Sequence, residues 1–135
     1  MKRLLILLTL ISGIIITSCG AVKDSDETGK EFYKCLKEGN YNKAIDLLDP
    51  EATKYTKLEI WTEGLKRKSE NLGMILNVER NNFESETSNN VTRTAITYKV
   101  HYSNGTMFER LEFIQRDSEY KITYYKYDED STKVK

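Results

Sequence analysis

The chain has 135 residues, with 21 basic and 21 acidic side chains and two cysteines. This length suits one small domain rather than two. The balanced charge argues against a nucleic-acid-binding protein, which carries a basic patch or stripe. Two cysteines are too few for a disulfide framework, so a packed core must hold the fold.

The first eighteen residues have the organisation of a secretory signal peptide. Lys2 and Arg3 form a positive head, and residues 4–16 are an apolar run broken at Thr9, Ser12 and Gly13. A transmembrane helix needs about 20 consecutive apolar residues, and this run is shorter and interrupted. We therefore predict a cleaved signal peptide over residues 1–18, which leaves 19 basic and 21 acidic residues in the mature chain.

The end of this segment, Ile16-Thr17-Ser18-Cys19, resembles the lipobox of bacterial lipoproteins, in which a branched aliphatic and two small residues precede a cysteine. The resemblance implies that Cys19 becomes the first residue and that its nucleophilic thiol carries a diacylglyceryl group, often with a further acyl chain such as palmitate on the amine. Two or three acyl chains give stable membrane attachment. We expect a protein anchored by lipid in the bacterial cell envelope, at the outer membrane in a Gram-negative cell. An ordinary signal peptide that ends near a cysteine is the alternative.

The rest of the chain is predicted to form one domain over residues 29–128, preceded by a lipidated cysteine and polar tether at 19–28 and followed by a polar tail at 129–135. Thr28 and Glu31 have capping-box spacing, which places the start of the first helix. Cys35 falls in the apolar stripe of this helix and is expected to be a buried small side chain. A second helix over residues 41–48 ends before Pro50.

A third helix is predicted from the capping-box pair Thr56 and Glu59 to Gly73, which suits the left-handed position after a helix end. Spacing indicates which side chains point inward and which are solvated. The inward stripe consists of Leu58, Trp61, Leu65 and Leu72. The solvated face consists of Lys66, Arg67, Lys68 and Glu70. The alternative interpretation is that its basic residues contact anionic lipid headgroups.

From residue 74 the apolar pattern changes to period two, which predicts strands at residues 74–86, 91–102, 106–115 and 119–127. A type I′ turn at Asn104-Gly105 would place Tyr102 opposite Met107. A two-residue turn at Asp117-Ser118 would set the register of the last two strands. That register pairs Phe113 with Ile122, Leu111 with Tyr124, and Glu109 with Lys126. Both turns bring large apolar side chains onto one face of the sheet.

Two or three helices followed by a four-stranded antiparallel meander describe a cystatin-like α+β roll. This element order resembles the nuclear transport factor 2-like superfamily, in which a curved sheet wraps helices into a cone. Trp61, Leu72-Gly73 and Arg80 are similar to the scattered pattern of small bacterial lipoproteins with an uncharacterised domain of this class. The resemblance covers residues 32–127 and implies the fold, but it implies no reaction, because one fold hosts many functions.

A candidate pocket is predicted inside the cone. Glu109 points inward with Lys126 as its cross-strand neighbour, and Arg80 joins them if its strand pairs through Val78 and Val100. Such a polar floor would suit a small anion. The candidate pocket consists of Arg80, Tyr98, Glu109, Tyr124 and Lys126.

A candidate interface is predicted on the opposite face of the sheet, formed by Phe108, Ile114, Tyr125 and Tyr127. We expect a non-catalytic module that uses this face for a protein partner or a homodimer. The alternatives are a carrier of a small ligand in the cone, and an enzyme that uses the same cone. The lone histidine, His101, is predicted on the outer face, and no cofactor, metal or nucleic acid is expected.

Overall fold

The computed structural model describes residues 16–135, with side chains described from residue 20. The predicted signal peptide lies mostly outside the described residues, as does the side chain of Cys19. Within residues 16–135, no helix combines the length and apolar character that crossing a bilayer requires. The elements are α1 (Ile16–Lys37), α2 (Tyr41–Asp46), α3 (Pro50–Thr53), α4 (Leu58–Leu72), β1 (Ile75–Ser88), β2 (Val91–Tyr102), β3 (Gly105–Arg116), β4 (Glu119–Asp128) and a 3₁₀ turn (Ser131–Val134).

The predicted polar tether at residues 19–28 is wrong in conformation, because α1 runs through it without a break. The side chains of Ala21, Val22 and Ser25 are buried against the domain. Ser25 donates its hydroxyl hydrogen to the carbonyl of Ala21 at 2.7 Å, which satisfies a polar group inside the contact. Thr28 lies within α1 rather than at its start, so the predicted capping box does not form. No glycine or proline interrupts residues 21–28, and burial of one face stabilises the helix there.

The helices that follow return the chain to the sheet. Asp49 caps α3 by accepting a hydrogen bond from the amide of Glu51 at 2.9 Å, with Pro50 as the first helical residue. Beside it, Leu48 forms a parallel bridge with Ile122, so this segment covers part of the β4 edge. Of the predicted second helix, residues 41–46 are helical, Leu47 is the C-cap, and Leu48 forms this bridge.

Helix α4 begins after Lys57, which makes no side-chain capping bond, so the predicted cap by Thr56 is wrong. Its end is predicted correctly. Gly73 has φ +81°, the left-handed region that favours glycine. A Cβ there would also lie 1.9 Å from the Ser103 hydroxyl oxygen. Gly73 therefore permits the close contact between the end of α4 and the turn that follows β2.

The four strands form one antiparallel sheet in the order β1-β2-β3-β4. The helices pack on one face of this meander, and the predicted α+β class is confirmed. Cys35 is buried in the core, as predicted. The centre of the core consists of Phe32, Ile96, Val100, Leu111, Phe113 and Ile122, each fully shielded from solvent.

The two predicted turns differ in outcome. Asp117 and Ser118 have φ +48° and +69°, as a type I′ turn requires, and Phe113 pairs with Ile122 as predicted. The predicted register of the preceding hairpin is wrong, because its loop is residues 103–104 and Tyr102 pairs with Gly105. This shift is two residues, so every side chain keeps its predicted face of the sheet.

A β-bulge between Glu112 and Phe113 changes the faces of the last strand. Thr123 has no partner in the ladder, so Leu111 pairs with Tyr125 instead of Tyr124. Because side chains alternate along a strand, the extra residue reverses which side chains point toward the helices. Tyr125 and Tyr127 therefore point inward, and the prediction for this half of β4 is wrong.

The predicted polar tail is also ordered. Asp130 caps the 3₁₀ turn by accepting a hydrogen bond from the amide of Thr132 at 2.9 Å. Val134 is fully buried. Burial of Val134 thus packs the end of the tail against the domain.

Candidate functional site

An ion pair lies at the centre of the space between α4 and the sheet. The ammonium of Lys68 is 2.9 Å from Oε1 and 3.0 Å from Oε2 of Glu109. The two side chains are 2% and 0% exposed. Lys68 comes from the inner face of α4, and Glu109 from the middle of β3. A charge in such a place is stable only when it is paired and hydrogen-bonded.

Two tyrosines complete the hydrogen bonds of this pair. Tyr102 donates to Oε1 of Glu109 at 2.5 Å, and Tyr125 donates to Oε2 at 2.6 Å. Lys68 in turn donates to both tyrosine oxygens. We call Lys68, Glu109, Tyr102 and Tyr125 the Lys68 cluster. Its donors and acceptors are directed at one another, so both carboxylate oxygens and the ammonium are already satisfied.

Aromatic rings surround the ammonium as well. The Nζ atom of Lys68 lies 4.9–5.3 Å from the ring centres of Tyr125, Tyr102 and Tyr127, within the range of cation–π attraction. Burial lowers the pKa of Lys68, and the carboxylate of Glu109 opposes that shift. Burial, followed by the charge of Glu109, raises the pKa of Tyr125 well above its ordinary value. Tyr125 is therefore a protonated donor at neutral pH.

An apolar cavity of about 230 Å³ lies beside the Lys68 cluster, between α4 and β4. We call it the α4 pocket. The single tryptophan of the chain, Trp61, forms part of its wall, and its indole nitrogen donates to the carbonyl of Ala52 at 3.3 Å. This bond uses the one polar atom of the ring, so the rest of the indole provides apolar surface. The lining consists of Thr56, Ile60, Trp61, Gly64, Leu65, Lys68, Tyr125 and Tyr127.

A second polar cluster lies where α1 crosses β1 and β2. The buried Tyr98 donates to the carboxylate of Asp26 at 3.0 Å. Lys30 lies 2.9 Å and Arg80 3.8 Å from the other oxygen of Asp26. Gly29 makes this contact possible, because a Cβ at that position would lie 2.1 Å from the Tyr98 hydroxyl oxygen. Burial, with the charge of Asp26 next, raises the pKa of Tyr98 far above its usual range.

The five residues of the predicted pocket do not come together. Glu109 points inward and is buried as predicted, but its cation is Lys68 rather than Lys126. Tyr98 is inward yet bonds to Asp26. Because of the bulge at Thr123 in β4, Tyr124 and Lys126 are exposed on the other side of the sheet.

Arg80 pairs with Tyr98 in the ladder, as expected from pairing through Val78 and Val100. Its side chain is nevertheless 42% exposed and contacts Asp26 rather than Glu109. The register shift that follows Arg80 bends the strand at this point. The predicted anion-binding floor therefore does not form.

The predicted outer interface does not form a continuous surface either. Ile114 is 1% exposed, Phe108 is half-buried, and Tyr125 and Tyr127 belong to the inner face. Between these positions the outer face carries Arg110, which is bonded to Glu84 at 3.3 Å and to Glu112 at 3.0 Å.

Sequence reasoning missed Lys68, which it placed on the solvated face. A signal was present in the spacing, because Trp61, Leu65 and Lys68 follow at intervals of four and three and so share one helix face. Charge alone argued for the surface, since lysine is almost never fully buried without a partner. The partner, Glu109, is 41 residues away and becomes adjacent only in the folded chain.

No protein-family model matches the sequence, and no curated protein matches it either. Solved structures do match it, among them the following two. A Novosphingobium aromaticivorans protein assigned as a scytalone dehydratase superposes with a TM-score of 0.57 at 9% identity, over 82% of this chain and 85% of that one. A designed nuclear transport factor 2-like chain gives 0.45 at 16% identity, over 78% of this chain and 100% of that one. The first likeness shows a shared α+β fold with helices packed on a four-stranded antiparallel sheet, which agrees with the element order predicted from the sequence.

Proposed function

We propose that this protein is a lipid-anchored protein of the bacterial cell envelope that binds a small apolar molecule in the α4 pocket. The observation that carries the proposal is the pocket itself, a cavity of about 230 Å³ with aromatic and aliphatic walls. Ligand sites are typically concave and mostly apolar, with few polar groups. We propose no cofactor and no nucleic-acid partner.

The Lys68 cluster restricts the ligand chemistry. Both oxygens of Glu109 already accept hydrogen bonds, and Lys68 is directed at Glu109 and two tyrosines. An anionic or strongly polar ligand would have to break these bonds, at a cost of about 1–3 kcal/mol for each buried group left unsatisfied. We therefore propose a neutral, apolar or aromatic ligand that contacts Trp61 and the tyrosine faces.

Binding without chemistry is the favoured form of this proposal. An enzyme with a general acid or base in this cavity would need an inward carboxyl group that is free to exchange a proton with a substrate. Glu109 is instead held by a cation and two hydroxyl donors. The likeness to an assigned dehydratase is at 9% identity and supports the fold alone.

A fluorescence titration tests the pocket. Trp61 is the single tryptophan, and a bromine atom in contact with it quenches its emission. With the chain from residue 19 carrying Cys19→Ser, we expect bromobenzene to quench Trp61 saturably, with a Kd of roughly 0.1–1 mM, as suits a ligand of this size. Linear quenching without saturation, equal to that of free tryptophan, would contradict the proposal.

A filled pocket provides the matched control. Gly64 lines the cavity, and a Cβ there meets no atom within 4 Å. Gly64→Leu should therefore occupy the pocket, keep the fold and weaken bromobenzene binding at least about tenfold, a loss of about 1.4 kcal/mol. Glu63→Leu adds the same side chain to an exposed position of α4 and should leave the affinity unchanged.

Lipidation is tested separately in cells. Labelled palmitate should enter the full-length chain and be absent from Cys19→Ser, because the thiol is the proposed acyl acceptor. The labelled chain should partition into the detergent phase. Recovery of Cys19→Ser in the membrane fraction with its label intact would overturn the anchor and leave the pocket proposal standing.

A further inference from the structure

Helix α1 leaves no flexible spacer between Cys19 and the folded domain. The helix includes position 19, and the buried side chains of Ala21 and Val22 follow two and three residues later. A helix rises about 1.5 Å per residue, so the proposed acylated cysteine lies about 5 Å along the axis from Val22. An anchor at Cys19 would therefore hold the domain itself against the bilayer.

A groove beside this end of α1 would face the lipid. Its volume is about 630 Å³, and it lies between α1 and the second half of β1. Phe83 lies in it with 52% of its surface exposed, although it is a large apolar residue. The guanidinium carbon of Arg80 lies 5.3 Å from the ring centre of Phe83. The groove is lined by Val22, Lys23, Asp26, Glu27, Lys30, Arg80, Phe83, Glu84 and Ser85.

We infer that this groove is a second membrane contact, in which Phe83 enters the headgroup region beside the acyl anchor. The inference rests on the proposed lipidation of Cys19. Aromatic rings flanked by lysine and arginine are typical of the membrane interface. Lys23, Lys30 and Arg80 supply such flanking cations, because their long stems can lie along apolar surface while the charge stays in the headgroups.

The acidic residues of the groove limit the role of charge. Asp26 is engaged by Lys30 and Arg80, and Glu84 by Arg110. Glu27 is exposed and adds a negative charge. The groove is therefore close to neutral, and its contact with the bilayer depends on Phe83 and on the anchor rather than on anionic lipid.

The same orientation leaves the α4 pocket accessible. The groove is built on β1, and the pocket on β4, which are opposite edges of the sheet. A bilayer at the groove does not cover the β4 edge. The ligand of the α4 pocket would then enter from the aqueous side.

Quenching by brominated lipid tests the inference. Both test proteins are full-length and lipidated, and both carry Trp61→Phe, which removes the native tryptophan. Phe83→Trp then places a single tryptophan in the groove, and Leu76→Trp places a single tryptophan in the control protein. Leu76 is 60% exposed on the same strand, and seven residues separate the two positions, or about 23 Å of strand. In vesicles of acyl-brominated phosphatidylcholine, we expect the tryptophan emission of the Phe83→Trp protein to fall at least twofold. The emission of the Leu76→Trp control should fall by less than a tenth.

The outcomes separate the contact from the anchor. Detergent-phase partition and palmitate label are measured on the same preparations. A lipidated Phe83→Trp protein without quenching, or with quenching equal to that of the Leu76→Trp control, overturns the contact and leaves the anchor intact. Absence of palmitate label overturns the anchor and the contact together. Selective quenching in vesicles without anionic lipid supports the contact and its independence of charge.

Discussion

Replacing Lys68 by methionine is expected to lower the free energy of unfolding by about 3–5 kcal/mol, because the substitution leaves the carboxylate of Glu109 buried without its cation. Glu109→Gln should cost a similar amount, since it leaves a buried ammonium beside a neutral amide. The double variant removes both charges and keeps an acceptor for Tyr102 and Tyr125. Its loss should be smaller than the sum of the single losses by about 2–3 kcal/mol.

Urea denaturation followed by far-ultraviolet circular dichroism at pH 7 measures these differences. Lys66→Met is the matched control, because Lys66 lies two residues away on the exposed side of α4. Its effect should stay within about 0.5 kcal/mol. Single losses below about 1 kcal/mol, or losses that simply add in the double variant, would show that the Lys68 cluster does not act as one buried unit.

Gly29→Ala is expected to destabilise the fold by about 2–4 kcal/mol. The new Cβ would lie 2.1 Å from the hydroxyl oxygen and 2.8 Å from the Cζ atom of Tyr98, a residue with 1% exposure. Overpacking typically costs about 1–3 kcal/mol. Moving the ring also breaks its hydrogen bond to Asp26, worth about 1.5–3 kcal/mol for a charged acceptor. The gain of about 1 kcal/mol from helix propensity is smaller than this loss.

The same substitution elsewhere in the helices separates packing from propensity. Gly64→Ala meets no atom within 4 Å, so it should stabilise the protein by about 0.5–1 kcal/mol. Adding Tyr98→Phe to Gly29→Ala removes the nearest clashing atom and should recover part of the loss, as measured by chemical denaturation. A neutral or stabilising Gly29→Ala would mean that Tyr98 does not pack on this face of α1.

Much of the fold follows from local patterns in the sequence. The change from helical to alternating periodicity near residue 74 predicts the order of helices and strands, and Asp117-Ser118 predicts its turn and the pairing of Phe113 with Ile122. These features depend on residues close together in the chain. The wrong hairpin register at Ser103-Asn104 does not change which residues are predicted in the core, because a shift of two residues preserves the face of every side chain.

The site was harder to predict because it depends on one inserted residue and on distant partners. The bulge at Thr123 exchanges Tyr124 for Tyr125 on the inner face, and no glycine or proline marks it in the sequence. Lys68 lies on α4 and is buried because Glu109 and two tyrosines, each from a different strand, pair with it. The polar composition of residues 19–28 likewise does not predict a helix, because the stability of this helix comes from packing on the domain.

The central claim is that the α4 pocket is a binding site for a small apolar molecule. The most direct measurement is the anomalous scattering of bromine in crystals of the protein soaked with bromobenzene. We predict one dominant bromine peak between Trp61 and Tyr125, beside Leu65, and its disappearance in Gly64→Leu crystals soaked in the same way. Bromine found only elsewhere on the protein, or an unchanged peak in Gly64→Leu, would contradict the claim.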